Sequence, residues 1–151
     1  RAIDVGCGIG DMVAYRPNTT GVDVNPSTVK YCREMGLDVV EMKPDQLPFD
    51  NNVFESAILD NVMEHIEAPE KLLAEINRVL VKKGKLVVGV PGKKGYSWDP
   101  DHKVFYDLKT LKEVMKMNGS IYEKHFYLPF RFSYFNDSLR QYCLYAIFNA
   151  K

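Results

Sequence analysis

Apolar residues along this chain fall into two alternating rhythms. Short, nearly unbroken apolar runs end in glycine, aspartate or proline. "AIDVG" (2–6), "TTGVDV" (19–24), "LDVVEM" (37–42), "FESAILD" (54–60) and "KLVVGVP" (85–91) are of this kind and predict buried strands. Between them lie segments with apolar residues three and four apart. A short helix is expected from Asp11. "NPSTVKYCREMG" (25–36) has Asn25 as cap, Pro26 in the first turn and Gly36 as stop. "APEKLLAEINRVLVKKG" (68–84) puts Leu72, Leu73, Ile76, Val79 and Leu80 on one face, with Pro69 opening it and Lys82 and Lys83 at its negative end. "DLKTLKEVMKMNG" (107–119) runs from a capping Asp107 to Gly119, and "IYEKHFYL" (121–128) and "QYCLYAIFNA" (141–150) read as two final strands.

Strands alternating with helices predict a parallel sheet covered on both faces, here a doubly wound α/β domain. The last two strands have no helix between them, so they are expected to pair as an antiparallel extension. In such sheets ligands sit beyond the carboxyl ends of the strands. That rule gathers the glycine loop, Asp23, the 43–49 loop, residues 60–65 and the 91–106 loop around one crevice.

Length and composition narrow the picture. With 151 residues, 46% hydrophobic and 26% charged, the chain has the size and make-up of one globular domain. Lys plus Arg and Asp plus Glu both number 20, which argues against nucleic acid as the main partner. The three cysteines, Cys7, Cys32 and Cys143, form no CxxC pair. They argue against a disulfide framework or a zinc site and fit a reducing, cytoplasmic setting. Neither a membrane span nor a signal peptide is visible. The chain enters a strand directly from Arg1, and a segment is expected to precede it.

The chemistry concentrates at "IDVGCGIGD" (3–11), where Gly6, Gly8 and Gly10 alternate. A strand–GxGxG–helix turn removes Cβ atoms and turns backbone N–H groups toward a ligand. One strand later Asp23 is placed to accept the two hydroxyls of a ribose. Glycine turn and carboxylate together predict a nucleoside-containing cofactor. The dinucleotide pattern GxGxxG is not met, and Asp4 at the strand end suits an ammonium better than a phosphate.

"DVGCGIG", "GVDVNP", "LPFDNNVFESAILDNVMEHI", "EINRVLVKKGKLVVGVP" and "DHKVFYDLKTLKEVMKMNG" resemble the class I S-adenosylmethionine-dependent methyltransferases, in their small-molecule, type 11-like branch. The resemblance runs over residues 2–125. It implies a Rossmann-like seven-stranded sheet, order 3-2-1-4-5-7-6 with strand 7 antiparallel. It implies S-adenosyl-L-methionine as cofactor, S-adenosyl-L-homocysteine as product, and a small molecule as methyl acceptor. It places Gly6, Cys7, Gly8 and Gly10 around the methionine part, with Asp4 facing its ammonium. Asp23 would hold the ribose hydroxyls, Val24 and Asn25 would flank the adenine, and Asp60 and Asn61 would lie beside the methyl group. Relatives often carry Asp-Ala where this chain has Lys43 and Pro44. Proline has no N–H for the adenine ring, so Asp45 is the substitute considered.

An acceptor hydroxyl needs a base, whereas an amine only has to be neutral. His65, after strand four, and His102, in the long loop with Tyr96, Trp98, Asp99, Asp101 and Tyr106, are the candidates. Each has a bland alternative as a bridge between backbone groups. His125 reads as structural, Glu64 as an orienting group or a surface pair, Cys7 as a filler, and Lys93 and Lys94 as solvated charges. Phe126, Tyr127, Phe130, Phe132, Tyr134 and Phe135 are read as core or as a homodimer contact. No His or Cys pair has ligand spacing, so no metal is expected. Three functions stay open: an active methyltransferase on a small molecule, a nicotinamide-dependent oxidoreductase, and a methyltransferase-like module with little or no catalysis.

Overall fold

A computed structural model describes residues 1–130 and 138–150. The strands are β1 (Ala2–Val5), β2 (Thr19–Asp23), β3 (Val39–Glu41), β4 (Phe54–Asp60), β5 (Leu80–Pro91), β6 (Ile121–Leu128) and β7 (Cys143–Asn149). The helices are α1 (Asp11–Tyr15), α2 (Pro26–Glu34), α3 (Glu70–Val79), α4 (Lys93–Trp98) and α5 (Leu108–Met117). All seven strands form one sheet in the order β3-β2-β1-β4-β5-β7-β6. β7 runs antiparallel to both β5 and β6, and the other pairs are parallel. The α/β class and strand order are those expected.

Local chemistry sets the helix ends as the sequence implied. The Asn25 side chain accepts the Ser27 and Thr28 N–H groups at the start of α2, and Asp107 and Thr110 form a reciprocal capping box on α5. Apolar residues from both faces are buried. The larger layer joins Ile3, Val5, Leu59, Leu86 and Val88 of the sheet to Leu73, Ile76 and Val79 of α3 and Leu111 and Met115 of α5. A smaller one, Val13, Val29, Cys32 and Val39, lies under α1 and α2.

The structure corrects the third helix, which stops at Val79 instead of residue 84. Leu80 already has extended geometry (ψ 141) and pairs with Phe54 at the start of β5. The segment that looked like a basic helix end is a bulge: Lys83 has φ 62, and register resumes at Ser56 opposite Lys85. Pairing with a neighbouring strand overrode the helical propensity of the Lys-Lys pair. The 91–106 segment is likewise not a plain loop, because it contains α4.

Candidate functional site

The carboxyl ends of β1, β2 and β4 converge on the glycine turn. Gly6, Gly8 and Gly10 have φ of 74, 51 and 84, the left-handed region that side chains rarely adopt. They do different work. A Cβ on Gly6 would stand 2.6 Å from Val62 Cγ2, and one on Gly10 2.6 Å from Leu37 Cδ1. Both are packing glycines. A Cβ on Gly8 would meet no atom within 4 Å, so the open side of the turn is at Gly8.

The N–H groups of Gly6, Cys7, Gly8 and Gly10 are already bonded within the protein, where a ligand was expected to take them. Gly6 and Cys7 both donate to the Val22 carbonyl (2.8 and 3.0 Å), and Gly10 donates to the Cys7 carbonyl (2.9 Å). The Gly8 N–H donates to Asp23 Oδ2 (3.0 Å). These bonds tie the turn to β2, so the glycines supply shape and not donors. Asp23 also accepts the Asn25 N–H on Oδ1 (2.8 Å). Each oxygen keeps a lone pair for a further donor, and the carboxylate is held in place before any ligand arrives.

Asp4, Asp23 and Asp60 surround this turn. Asp4 is buried, and its carboxyl is pushed up to about 6, first by burial and then by Asp60 and Asp23. Burial also raises Asp60, and an O–H bond from Tyr145 to its Oδ2 (3.2 Å) works the other way. Carboxylates that destabilise one another's charge favour a bound cation. Tyr145, on β7, was not among the expected site residues. Its approach depends on Gly89, where a Cβ would lie 2.3 Å from Asp60 Oδ1 and 2.6 Å from the Tyr145 ring. An aromatic residue in an antiparallel strand carries no local mark of such a role. Burial pushes the Cys7 thiol up to about 12, which fits a filler and not a nucleophile.

Beside the turn lies a mostly apolar cavity of about 280 Å³, lined by Val5, Gly6, Asp23, Val24, Met42, Pro44, Asn61, Val62, His65, Ile66 and Leu72. Asn61 turns into it with φ 52. Asp45 does not line it. A Lys43–Gln46 bridge, with the Gln46 N–H on the Lys43 carbonyl (3.1 Å), makes a tight turn there. That turn leaves Asp45 exposed in a separate surface depression with Arg1 and Arg78.

Next to this cavity, through His65 which lines it, Glu64, His65 and His102 come together. Glu64 and His65 belong to a single 3₁₀ turn, Met63–His65. The Glu64 carbonyl accepts the Lys103 and Val104 N–H groups (2.7 and 3.0 Å) and thereby draws the His102 segment inward. The two imidazole rings stand 4.8 Å apart. Spacing along the chain argued against a metal site, yet one ligand atom from each of these three residues lies within 4.8 Å of the others. His125 is elsewhere, on β6, with its Nδ1 2.6 Å from the Tyr122 hydroxyl. Lys94 bonds the Ser138 carbonyl (2.9 Å). Phe126 stacks on Tyr145 and Tyr127 on Tyr142, whereas Phe132, Tyr134 and Phe135 lie outside the described residues.

A doubly wound sheet ending in an antiparallel β7, with a glycine turn and a β2 carboxylate at its crevice, is the architecture of a Rossmann-like methyltransferase. The model of the family described as "Methyltransferase domain" matches residues 3–88. The chain belongs to this family, among the class I S-adenosylmethionine-dependent methyltransferases, and S-adenosylmethionine is its cofactor. It is 31% identical over 113 residues to phthiotriol/phenolphthiotriol dimycocerosates methyltransferase of Mycobacterium leprae, covering 67% of this chain and 42% of that protein. It is 28% identical over 149 residues to the ubiquinone/menaquinone biosynthesis C-methyltransferase UbiE of Citrifermentans bemidjiense, covering 85% of this chain and 61% of that one. The chain thus spans less than two thirds of the length of these curated relatives. A solved S-adenosylmethionine-dependent methyltransferase from Thermotoga maritima superimposes with a TM-score of 0.79 at 19% identity, over 100% of this chain and 82% of that one. No helix among the described residues is long and apolar enough to cross a membrane.

Proposed function

We propose that this protein transfers a methyl group from S-adenosylmethionine to a small-molecule acceptor, at oxygen or nitrogen. The observation that carries the reading is the grouping of Asp4, Asp23 and Asp60 at the glycine turn, beside a cavity with an apolar wall. The cofactor has an ammonium, a sulfonium, a ribose and an adenine. Buried Asp4 suits the ammonium, and Asp23 keeps lone pairs for the ribose hydroxyls. The turn leaves room for the methionine part at Gly8, with Gly6, Cys7 and Gly10 shaping its wall and Asp60 and Asn61 on the other side. Val24, Met42 and Ile66 offer the adenine apolar contact where Pro44 offers no N–H.

When bound, the cofactor supplies a methyl carbon on a sulfonium, a good leaving group. The protein's part is to align the acceptor and exclude water. The edge formed by Glu64, His65 and His102 is where an acceptor would meet that carbon and lose its proton. A nicotinamide dinucleotide fits poorly, because its pyrophosphate would lie against Asp4 and Asp60. The balance of 20 basic and 20 acidic residues speaks against nucleic acid as the acceptor.

Calorimetric titration with S-adenosylmethionine, S-adenosylhomocysteine and NAD tests the reading. Binding of the first two without the third is expected. Binding of NAD alone overturns it in favour of an oxidoreductase, and binding of none leaves a methyltransferase-like module. A metabolite screen with labelled methyl donor then identifies the acceptor.

A further inference from the structure

Glu64 presents a problem that the cofactor crevice does not solve. The residue is 1% exposed, and neither carboxylate oxygen has a hydrogen-bond partner. An orphaned buried carboxylate costs several kcal/mol unless something compensates it. The His102 imidazole faces it, with Nε2 3.9 Å from Glu64 Oε1, beyond hydrogen-bond distance.

Both histidines turn Nδ1 to a backbone carbonyl. His102 Nδ1 lies 2.9 Å from the Tyr96 carbonyl, and His65 Nδ1 lies 3.3 Å from the Asp101 carbonyl. A carbonyl only accepts, so each Nδ1 is the donor, and in the neutral ring Nε2 then keeps its lone pair. This is the arrangement that fixes the tautomer of metal-binding histidines. Tyr96 stacks on His102 at 5.5 Å and holds the ring plane. Ligand atoms around one ion at about 2.1 Å stand about 3–3.5 Å apart. One ligand atom from each of the three residues lies within 4.8 Å of the others, and His102 Nε2 is 3.9 Å from Glu64 Oε1, so the three groups would close in on an ion placed between them. Asp99 Oδ2, 3.9 Å from His102 Nε2, is close enough to add a fourth ligand.

We propose that Glu64, His65 and His102 bind a divalent transition-metal ion at the edge of the cofactor crevice. Two imidazoles and one carboxylate favour zinc, cobalt or nickel over magnesium. The ion gives the orphaned carboxylate its counter-charge. Because His65 also lines the cavity beside Asn61 and Val62, the ion stands next to the space assigned to the acceptor. The metal site stands on these side chains alone and does not depend on the methyl-transfer reading.

The test is titration of the chelator-treated protein with Zn²⁺, followed by calorimetry, and with Co²⁺, followed by its visible absorption. One equivalent is expected to bind, with a cobalt spectrum of mixed nitrogen and oxygen ligation. Glu64→Gln and His102→Ala are each expected to weaken binding at least tenfold, and His125→Ala to leave it unchanged. Circular dichroism establishes that each variant is folded, and His65→Gln replaces any that is not. Absence of stoichiometric binding overturns the proposal, as does affinity unaltered in the triad variants or lost in His125→Ala. Separate titrations with S-adenosylhomocysteine keep the two readings distinguishable: cofactor binding without metal binding removes only the metal site, and the converse removes only the methyl-transfer reading.

Discussion

Asp4 gives the sharpest prediction, because its environment works against the charge that the cofactor needs. Its carboxyl is displaced from 3.8 to about 6, mainly by burial. That displacement corresponds to about 3 kcal/mol against the ionised form. If ionised Asp4 receives the cofactor's ammonium, affinity follows its ionisation. At pH 5 about one tenth of the molecules carry the charge, and by pH 7.5 nearly all do. S-adenosylhomocysteine is therefore expected to bind about tenfold more tightly at pH 7.5 than at pH 5, or about 1.4 kcal/mol. Calorimetry across that range, on the protein and on Asp4→Asn, measures it. The variant should bind weakly with no such slope.

Stability without cofactor changes in the opposite sense. Below about pH 4 Asp4 is protonated in both folded and unfolded chains and costs nothing. As pH rises from about 4 to 6 the unfolded chain ionises first, and stability falls. Asp4→Asn is thus expected to stabilise the cofactor-free protein at pH 7.5, by up to about 3 kcal/mol. A flat affinity profile in the unaltered protein, with Asp4→Asn binding equally well, refutes the ammonium assignment.

Other substitutions probe the remaining parts. Asp23→Ala should weaken cofactor binding by about 1–3 kcal/mol, through loss of charged hydrogen bonds and release of the Gly8 and Asn25 N–H groups; unchanged calorimetric affinity contradicts the ribose assignment. Gly6→Ala and Gly10→Ala should each destabilise by about 2 kcal/mol or more in urea melts, since each adds a clash to an unfavourable φ. Gly8→Ala, with open space around it, should cost only about 1 kcal/mol of stability while reducing cofactor affinity. Arg78 binds both Glu75 oxygens and the Phe49 and Leu47 carbonyls, so Arg78→Ala should lower stability by about 2 kcal/mol. Because Arg78 holds the Glu75 carboxyl below its ordinary value, the pair's contribution is full above about pH 4.5 and lost as pH falls further; denaturant melts from pH 3 to 7 follow it.

Features whose physics is local could be read from the order of residues. Strand runs, helix faces and caps such as Asn25 and Asp107 depend on neighbours a few residues away, so the order of elements and the doubly wound sheet could be read from pattern. The glycine turn and Asp23 were legible for the same reason, because they sit at strand ends that the pattern locates. Tertiary structure decided whatever depends on atoms from distant segments. Pairing with Phe54 turned residues 80–84 from helix into bulge. The Val22 carbonyl and Asp23 took the N–H groups that looked free for a ligand. A tight turn carried Asp45 away from the cavity, and the Glu64 carbonyl drew His102 to His65. Pattern encodes which face of an element is buried; only the folded chain sets which buried groups meet, because burial is a property of one residue and contact a property of two.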